Sequence, residues 1–100
     1  MSNYSTHKGH RQRLRDRFLK NGLDGFHDYE IVELLLTLGT PRKDCKQLAK
    51  QALKKFGSLK DVLEADPKDL QDIDGIGSNI VFGLKIAQAV SRRYLADRVI

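Results

Sequence analysis

The sequence predicts an all-α fold, a compact bundle of five or six helices, on three observations. Apolar residues return every three or four positions in successive segments, the spacing that gives a helix one buried face. Between these segments stand residues that break or cap helices: Gly22 and Gly25, Gly39-Thr40-Pro41, Gly57-Ser58, Asp66-Pro67 and Gly75-Ile76-Gly77. A length of 100 residues, 40% of them apolar, is enough for one domain around a single modest core.

In chain order, residues 1–8 lack apolar periodicity and read as a flexible arm. A first helix is expected from about Gly9 to Lys20, with Leu14 and Phe18 on one stripe at i, i+4. Arg11 and Arg15 flank one edge of that stripe, and Arg13 and Arg17 the other. Such stems can cover apolar surface while their charged heads stay in water. The row serves either to track phosphate or as a solvated face pairing with the acidic segment between residues 56 and 80. Gly22 and Gly25 stop this helix.

Asp28 is the expected cap of a second helix, about Tyr29 to Leu38. Here Ile31, Val32, Leu34, Leu35, Leu36 and Leu38 leave little polar face, so it should be the most buried. Arg42 and Lys43 fall in the loop before Asp44 caps a third helix. Its stripe is Cys45, Leu48 or Ala49, Ala52 and Phe56, with Lys46, Lys50 and Lys54 outward. Cys45 reads as a small core residue. Ser58 with Asp61 makes a capping start for Leu59 to Glu64, and Asp66 with Pro67 at the first position starts Pro67 to Ile73.

The last helix should run from Ser78 to about Leu95. One face carries Ile80, Leu84, Ala87, Ser91 and Tyr94, and a second carries Phe82, Ile86 and Ala89, with Lys85, Gln88 and Arg92 as the wet strip. Two apolar faces make it either the central helix or one that also touches another domain. Ala96 to Ile100 carry no stop signal and read as the start of a linker.

Function concentrates in the turn between the last two helices. Gly75 and Gly77 can take backbone angles closed to other residues, and they leave no side chain to hold a large partner away. Ile76 should turn inward. Amides near Gly77, Ser78 and Asn79 then point outward with the positive end of a helix dipole behind them, which favours one phosphate. The spacing Leu70, Ile73, Gly75, Ile76, Gly77, Val81, Leu84 resembles the helix-hairpin-helix motif, which grips nucleic-acid backbone without reading sequence. The plain alternative is a Gly-x-Gly turn that binds nothing. Asn79 stands where strong DNA-binding hairpins often have Lys or Arg, and Asp72 and Asp74 bring negative charge close.

The 18 Lys and Arg against 13 Asp and Glu give a net +5, a mild lean toward a polyanionic partner. Cations gather before residue 27 and acids between 56 and 80, so attraction to DNA must come from elements folded beside the hairpin. Candidate electrostatic contacts are Arg11, Arg13, Arg15, Arg17, Arg42, Lys43, Lys85 and Arg92, which cannot all share one surface.

One cysteine excludes an internal disulfide, and a polar, basic start is no signal peptide, so a cytoplasmic location is expected. The apolar run Ile31 to Leu38 falls far short of the ~20 residues a membrane span needs, so no membrane partner is expected. His7, His10 and His27 lack metal-ligand spacing, and no nucleophile or phosphate-loop signature is present, so no metal, cofactor or catalytic residue is expected. The helix order is similar to helix-hairpin-helix DNA glycosylases. Asn79 stands at the position of their Schiff-base lysine and cannot attack as an amine.

Blocks along the chain carry a closer resemblance: Gly9-His10-Arg11-Gln12-Arg13-Leu14-Arg15-Asp16-Arg17-Phe18, Asp28-Tyr29-Glu30-Ile31-Val32-Glu33-Leu34-Leu35-Leu36, Thr40-Pro41-Arg42-Lys43-Asp44, Phe56-Gly57-Ser58-Leu59 and Gly75-Ile76-Gly77. In this order they resemble the amino-terminal domain of RadC-family proteins, over almost the whole chain. The resemblance implies an all-α module of a bacterial protein labelled for DNA repair, followed by a JAB/MPN metalloprotease-like domain. No residue here matches that domain's zinc ligands. Two functional expectations follow. One is sequence-nonspecific, salt-dependent binding of duplex or branched DNA through Gly75, Ile76, Gly77, Ser78 and Asn79. The other is docking through Phe82 and Ile86 onto the missing JAB/MPN domain or a repair protein.

Overall fold

The computed structural model describes the backbone of residues 3–41 and 44–99 and the side chains of residues 9–41 and 44–99. Arg42 and Lys43 lie outside the described residues. The chain is all-helical, with six helices among the described residues: α1 (Asn3–Asn21), α2 (Asp28–Gly39), α3 (Cys45–Phe56), α4 (Leu59–Glu64), α5 (Pro67–Gln71) and α6 (Ser78–Arg98).

Most helix ends follow the local chemistry read from the sequence. Gly57 closes α3 in the left-handed conformation at φ 102°, donating its amide to the Leu53 carbonyl at 2.7 Å. The Ser58 hydroxyl accepts the Asp61 amide at 3.0 Å, and the Asp66 carboxylate accepts the Lys68 amide at 2.8 Å. Three ends depart. α1 begins at Asn3, inside the segment expected to be an arm. α2 takes its cap from His27 rather than Asp28, because the Glu30 carboxylate reaches back to accept the His27 amide at 2.9 Å. α5 stops at Gln71, short of Ile73.

α2 is the hub, touching α1, α3, α4 and α6. Val32 and Leu36 of α2, Leu48, Ala49 and Ala52 of α3, Val62 of α4, Leu70 of α5 and Ile80, Val81 and Leu84 of α6 make one continuous core, which Cys45 joins as expected. Burying each large aliphatic side chain stabilises the fold by about 1.5–3 kcal/mol. Several positions expected to be buried lie outside it, Leu38 of α2 among them at 72% exposed. Phe18 is 42% exposed although Leu14, one turn earlier, is buried. On α6 the inner face ends at Ala87, and every described residue from Ala89 to Val99 is exposed, Tyr94 and Ser91 included. No described helix is long and apolar enough to cross a membrane.

Candidate nucleic-acid interface

Residues 72–77 join α5 to α6. Ile73 and Ile76 point into the core, and the Ile76 amide donates to the Ile73 carbonyl at 3.0 Å, which closes the turn. Gly75 has φ 100° and needs to be glycine for that reason. Gly77 differs from the expectation: as the N-cap of α6 it is extended, at φ −97° and ψ −172°, a conformation open to any residue. Nothing lies within 4 Å of where its Cβ would stand. Its value to a ligand would therefore be open space rather than an unusual angle.

The helical ladder of α6 starts with the Val81 amide donating to the Gly77 carbonyl at 3.1 Å, so the amides of Ser78, Asn79 and Ile80 precede it. Ser78 and Asn79 are exposed, whereas Ile80 is buried. A polar depression of about 320 Å³ lies here, bounded by Gly39, Thr40, Gly75, Gly77, Ser78, Asn79 and Ile80, with no carboxylate in its wall. Asp72 and Asp74 are exposed outside it. Gly39 and Thr40 carry no sequence signal beyond ending a helix. Their place in the wall follows from α2 crossing α6 so closely that a Cβ on Gly39 would meet the Ile80 Cα at 3.0 Å.

The cations expected to serve DNA are largely engaged within the fold. Arg11 donates to the Thr37 and Thr40 carbonyls at 3.3 Å each and to the Cys45 Sγ at 3.8 Å, and Arg15 donates to the Thr37 carbonyl at 3.3 Å. Both guanidinium groups sit at the negative end of the α2 dipole. Arg17 pairs with Glu30 at 2.9 Å and lies over the Phe26 ring. Lys85, expected on the wet strip, donates to the Leu63 carbonyl at 2.9 Å and to that of Ala65, tying α6 to the end of α4. Arg13 and Arg92 are exposed, on α1 and α6. Arg11, Arg15 and Arg17 of α1 thus bond to α2 and its C-cap and not to the acidic segment 56–80. Arg11 still borders the depression, since the Thr40 whose carbonyl it holds lines the wall.

A polar pair joins α1 to α2 around one buried carboxylate. Glu33, the charge that interrupts the leucine run, is only 3% exposed; its Oε2 meets the His10 Nε2 at 2.9 Å, and its Oε1 has no hydrogen-bond partner. Burial holds its pKa above the ordinary carboxylate value, against the opposing pull of His10. The Glu30 pKa is lowered, chiefly by its hydrogen bond from Arg17. Among the described residues no group of three or more His, Cys, Asp or Glu side chains is placed to hold a metal ion.

The expected partner face is exposed and wider than foreseen. Phe82 is 68% exposed, and Ile86 and Val90 continue its stripe along α6. With Leu35 and Leu38 of α2 they line an apolar groove of about 520 Å³.

The model of the family described as UPF0758 N-terminal matches residues 7–81. The chain belongs to that family. Family relatives include a UPF0758 protein of Fusobacterium nucleatum, 52% identical over 79 residues, which are 79% of this chain and 34% of that protein. One from Rhodobacter capsulatus is 42% identical over 87% of this chain and 41% of its own length, and one from Ruegeria pomeroyi 39% identical over 92% and 41%. The chain thus spans between about a third and two-fifths of the length of these curated relatives. No solved structure matches it. The family is the RadC-like amino-terminal domain that the sequence blocks resemble.

Proposed function

We propose that this UPF0758 domain is a non-catalytic, sequence-nonspecific DNA-binding module that holds one backbone phosphate where α5 turns into α6. The observation that carries the reading is the exposed first turn of α6, with open space at Gly77 and a depression free of carboxylates in front of the Ser78 and Asn79 amides. Unpaired amides and the dipole of a long helix favour an anion there without selecting a base. Arg11, behind Thr40, adds positive charge to the same wall. Exposed Asp72 and Asp74 oppose it, so binding is weak and fades steeply with salt.

Fluorescence titration of labelled duplex and branched DNA tests this. Binding is expected at ~50 mM salt and is largely lost by ~200 mM, as for other phosphate-dominated contacts. Because the fold leaves room for a side chain at position 77, Gly77→Val should cost stability no more than the ~1 kcal/mol of a poorer N-cap while weakening DNA binding about tenfold or more, the worth of a charge-assisted hydrogen bond. No binding by the unchanged protein at ~50 mM salt would sink the reading.

A second reading rests on a separate observation, the groove around Leu38, Phe82, Ile86 and Val90. It makes the domain a docking module for the JAB/MPN-like remainder of a longer protein or for a repair partner. Gly77→Val should leave such docking intact.

A further inference from the structure

Arg11, Arg15 and Arg17 are held by carbonyls and by Glu30, and the exposed Arg13 and Arg92 stand apart on α1 and α6, so an aligned row of unengaged charge has to be sought elsewhere. Among the described residues, the largest co-linear set of cations outside those contacts is on α3. Lys46, Lys50 and Lys54 recur at i, i+4, i+8, separated by neutral residues, and α3 contains no acidic side chain. Among the described residues none of the three stands in an ion pair. Lys50 and Lys54 are exposed; Lys46 is half-buried, its ammonium 6.0 Å from the Tyr29 ring, where Lys50 also lies at 4.9 Å.

We propose that this lysine row is a second contact for the phosphodiester backbone, continuous with the α5–α6 turn and supplying most of the electrostatic attraction. The inference rests on the DNA reading above and adds to it a surface that the turn does not contain. Three observations select this occupant. The opposite face of α3, Cys45, Leu48, Ala49 and Ala52, is fully used by the core, which leaves nothing apolar to enter a membrane. The row rises ~6 Å per lysine along the helix axis, and a nucleic-acid strand carries one charge per ~3.4 Å of its own axis. Both are regular lines of charge, and ~6 Å is close to two steps of ~3.4 Å, so the lysines can meet about every second phosphate without a fixed base register. Finally, the Lys54 end of the row adjoins Lys55, whose ammonium donates to the Asp69 carbonyl of α5 at 2.8 Å, so the row ends beside the helix that leads into the turn.

The test is the salt dependence of binding to one labelled duplex by the full chain, its Lys46→Gln/Lys50→Gln/Lys54→Gln variant, and Gly77→Val. Losing three phosphate contacts should reduce the slope of log Kobs against log salt by about 2.7, at 0.9 per phosphate. A Lys50→Gln/Lys54→Gln pair, which leaves Lys46 in place beside Tyr29, should reduce it by about 1.8 and covers the case in which the triple variant unfolds. An unchanged slope in the double variant overturns the lysine row, and if Gly77→Val alone loses affinity the turn stands without it. A reduced slope in the lysine variants with Gly77→Val binding normally upholds the row and overturns the turn. Failure of the unchanged chain to bind at ~50 mM salt overturns both.

Discussion

Glu33 and Glu30 lie one turn apart on α2 and respond to pH in opposite directions. Burial raises the Glu33 pKa, so the folded state holds that proton more tightly than the unfolded chain does. Its contribution is most favourable below the ordinary value of 4.5 and falls as pH rises through the raised folded value. Glu33→Gln, neutral at every pH, should therefore gain melting temperature on the wild type as pH climbs from about 4 to 8, the usual window for a raised carboxyl. The Glu30 pKa is lowered by the Arg17 hydrogen bond; its stabilisation is present above 4.5 and lost as pH falls through the lowered value. Glu30→Gln should thus cost stability at neutral pH, with the deficit closing in acid. Parallel pH profiles for the two variants would contradict both assignments. Arg11→Met should destabilise the fold by ~1.5–3 kcal/mol in chemical denaturation, the usual worth of hydrogen bonds to a charged group. Only part of this was legible in the sequence, where the helical wheel puts Arg11 and Arg15 on one edge and Arg13 and Arg17 on the other without naming the group each edge meets. Which of them meets a carbonyl depends on where α2 ends beneath α1.

Among the elements, the crossing of α2 over the start of α6 sets the geometry of the candidate site, and three glycines test it. Gly39→Ala would bring a Cβ to 3.0 Å from the Ile80 Cα, against backbone that cannot rotate aside, so a loss of ~1–3 kcal/mol is expected from overpacking. Gly75→Ala should cost about 1–2 kcal/mol for a residue forced to positive φ, whereas Gly77→Ala should cost no more than the ~1 kcal/mol of a poorer N-cap. Thermal melts of the three rank these effects, and a large loss at Gly77 would contradict the open space beside it. The sequence made the order of the six helices readable through its caps, since Ser58, Asp66 and Gly57 act locally. It treated Gly75 and Gly77 alike because both break a pattern, yet only Gly75 uses the left-handed region. Phe18 and Tyr94 were placed inside because their spacing continues a buried stripe. Periodicity gives the direction of a face and not the length over which a neighbour covers it.

For the molecule as a whole, both the net charge of +5 and the exposed apolar residues need an outlet. Leu38, Phe82, Ile86 and Val90 form one stripe, and α6 runs on from Ala89 with Tyr94, Leu95 and Val99 exposed. Contiguous apolar surface of this kind marks a contact site more often than scattered single residues do. The sequence exposed this through the second apolar face of α6, but it gave no sign that Leu38 would join from α2. The groove and the phosphate depression share Gly39 and Asn79, so the two activities proposed here are adjacent. Phe82→Lys with Ile86→Lys separates them. Both side chains are already in solvent, and surface substitutions are usually within about 0.5 kcal/mol, so the double variant should melt close to the wild type. On the docking reading it no longer binds the separately expressed remainder of a longer family member in calorimetry, while two added cations leave DNA binding equal or tighter. A double variant that still binds that remainder but loses DNA would move the nucleic-acid contact from the amides of Ser78 and Asn79 to the apolar groove itself.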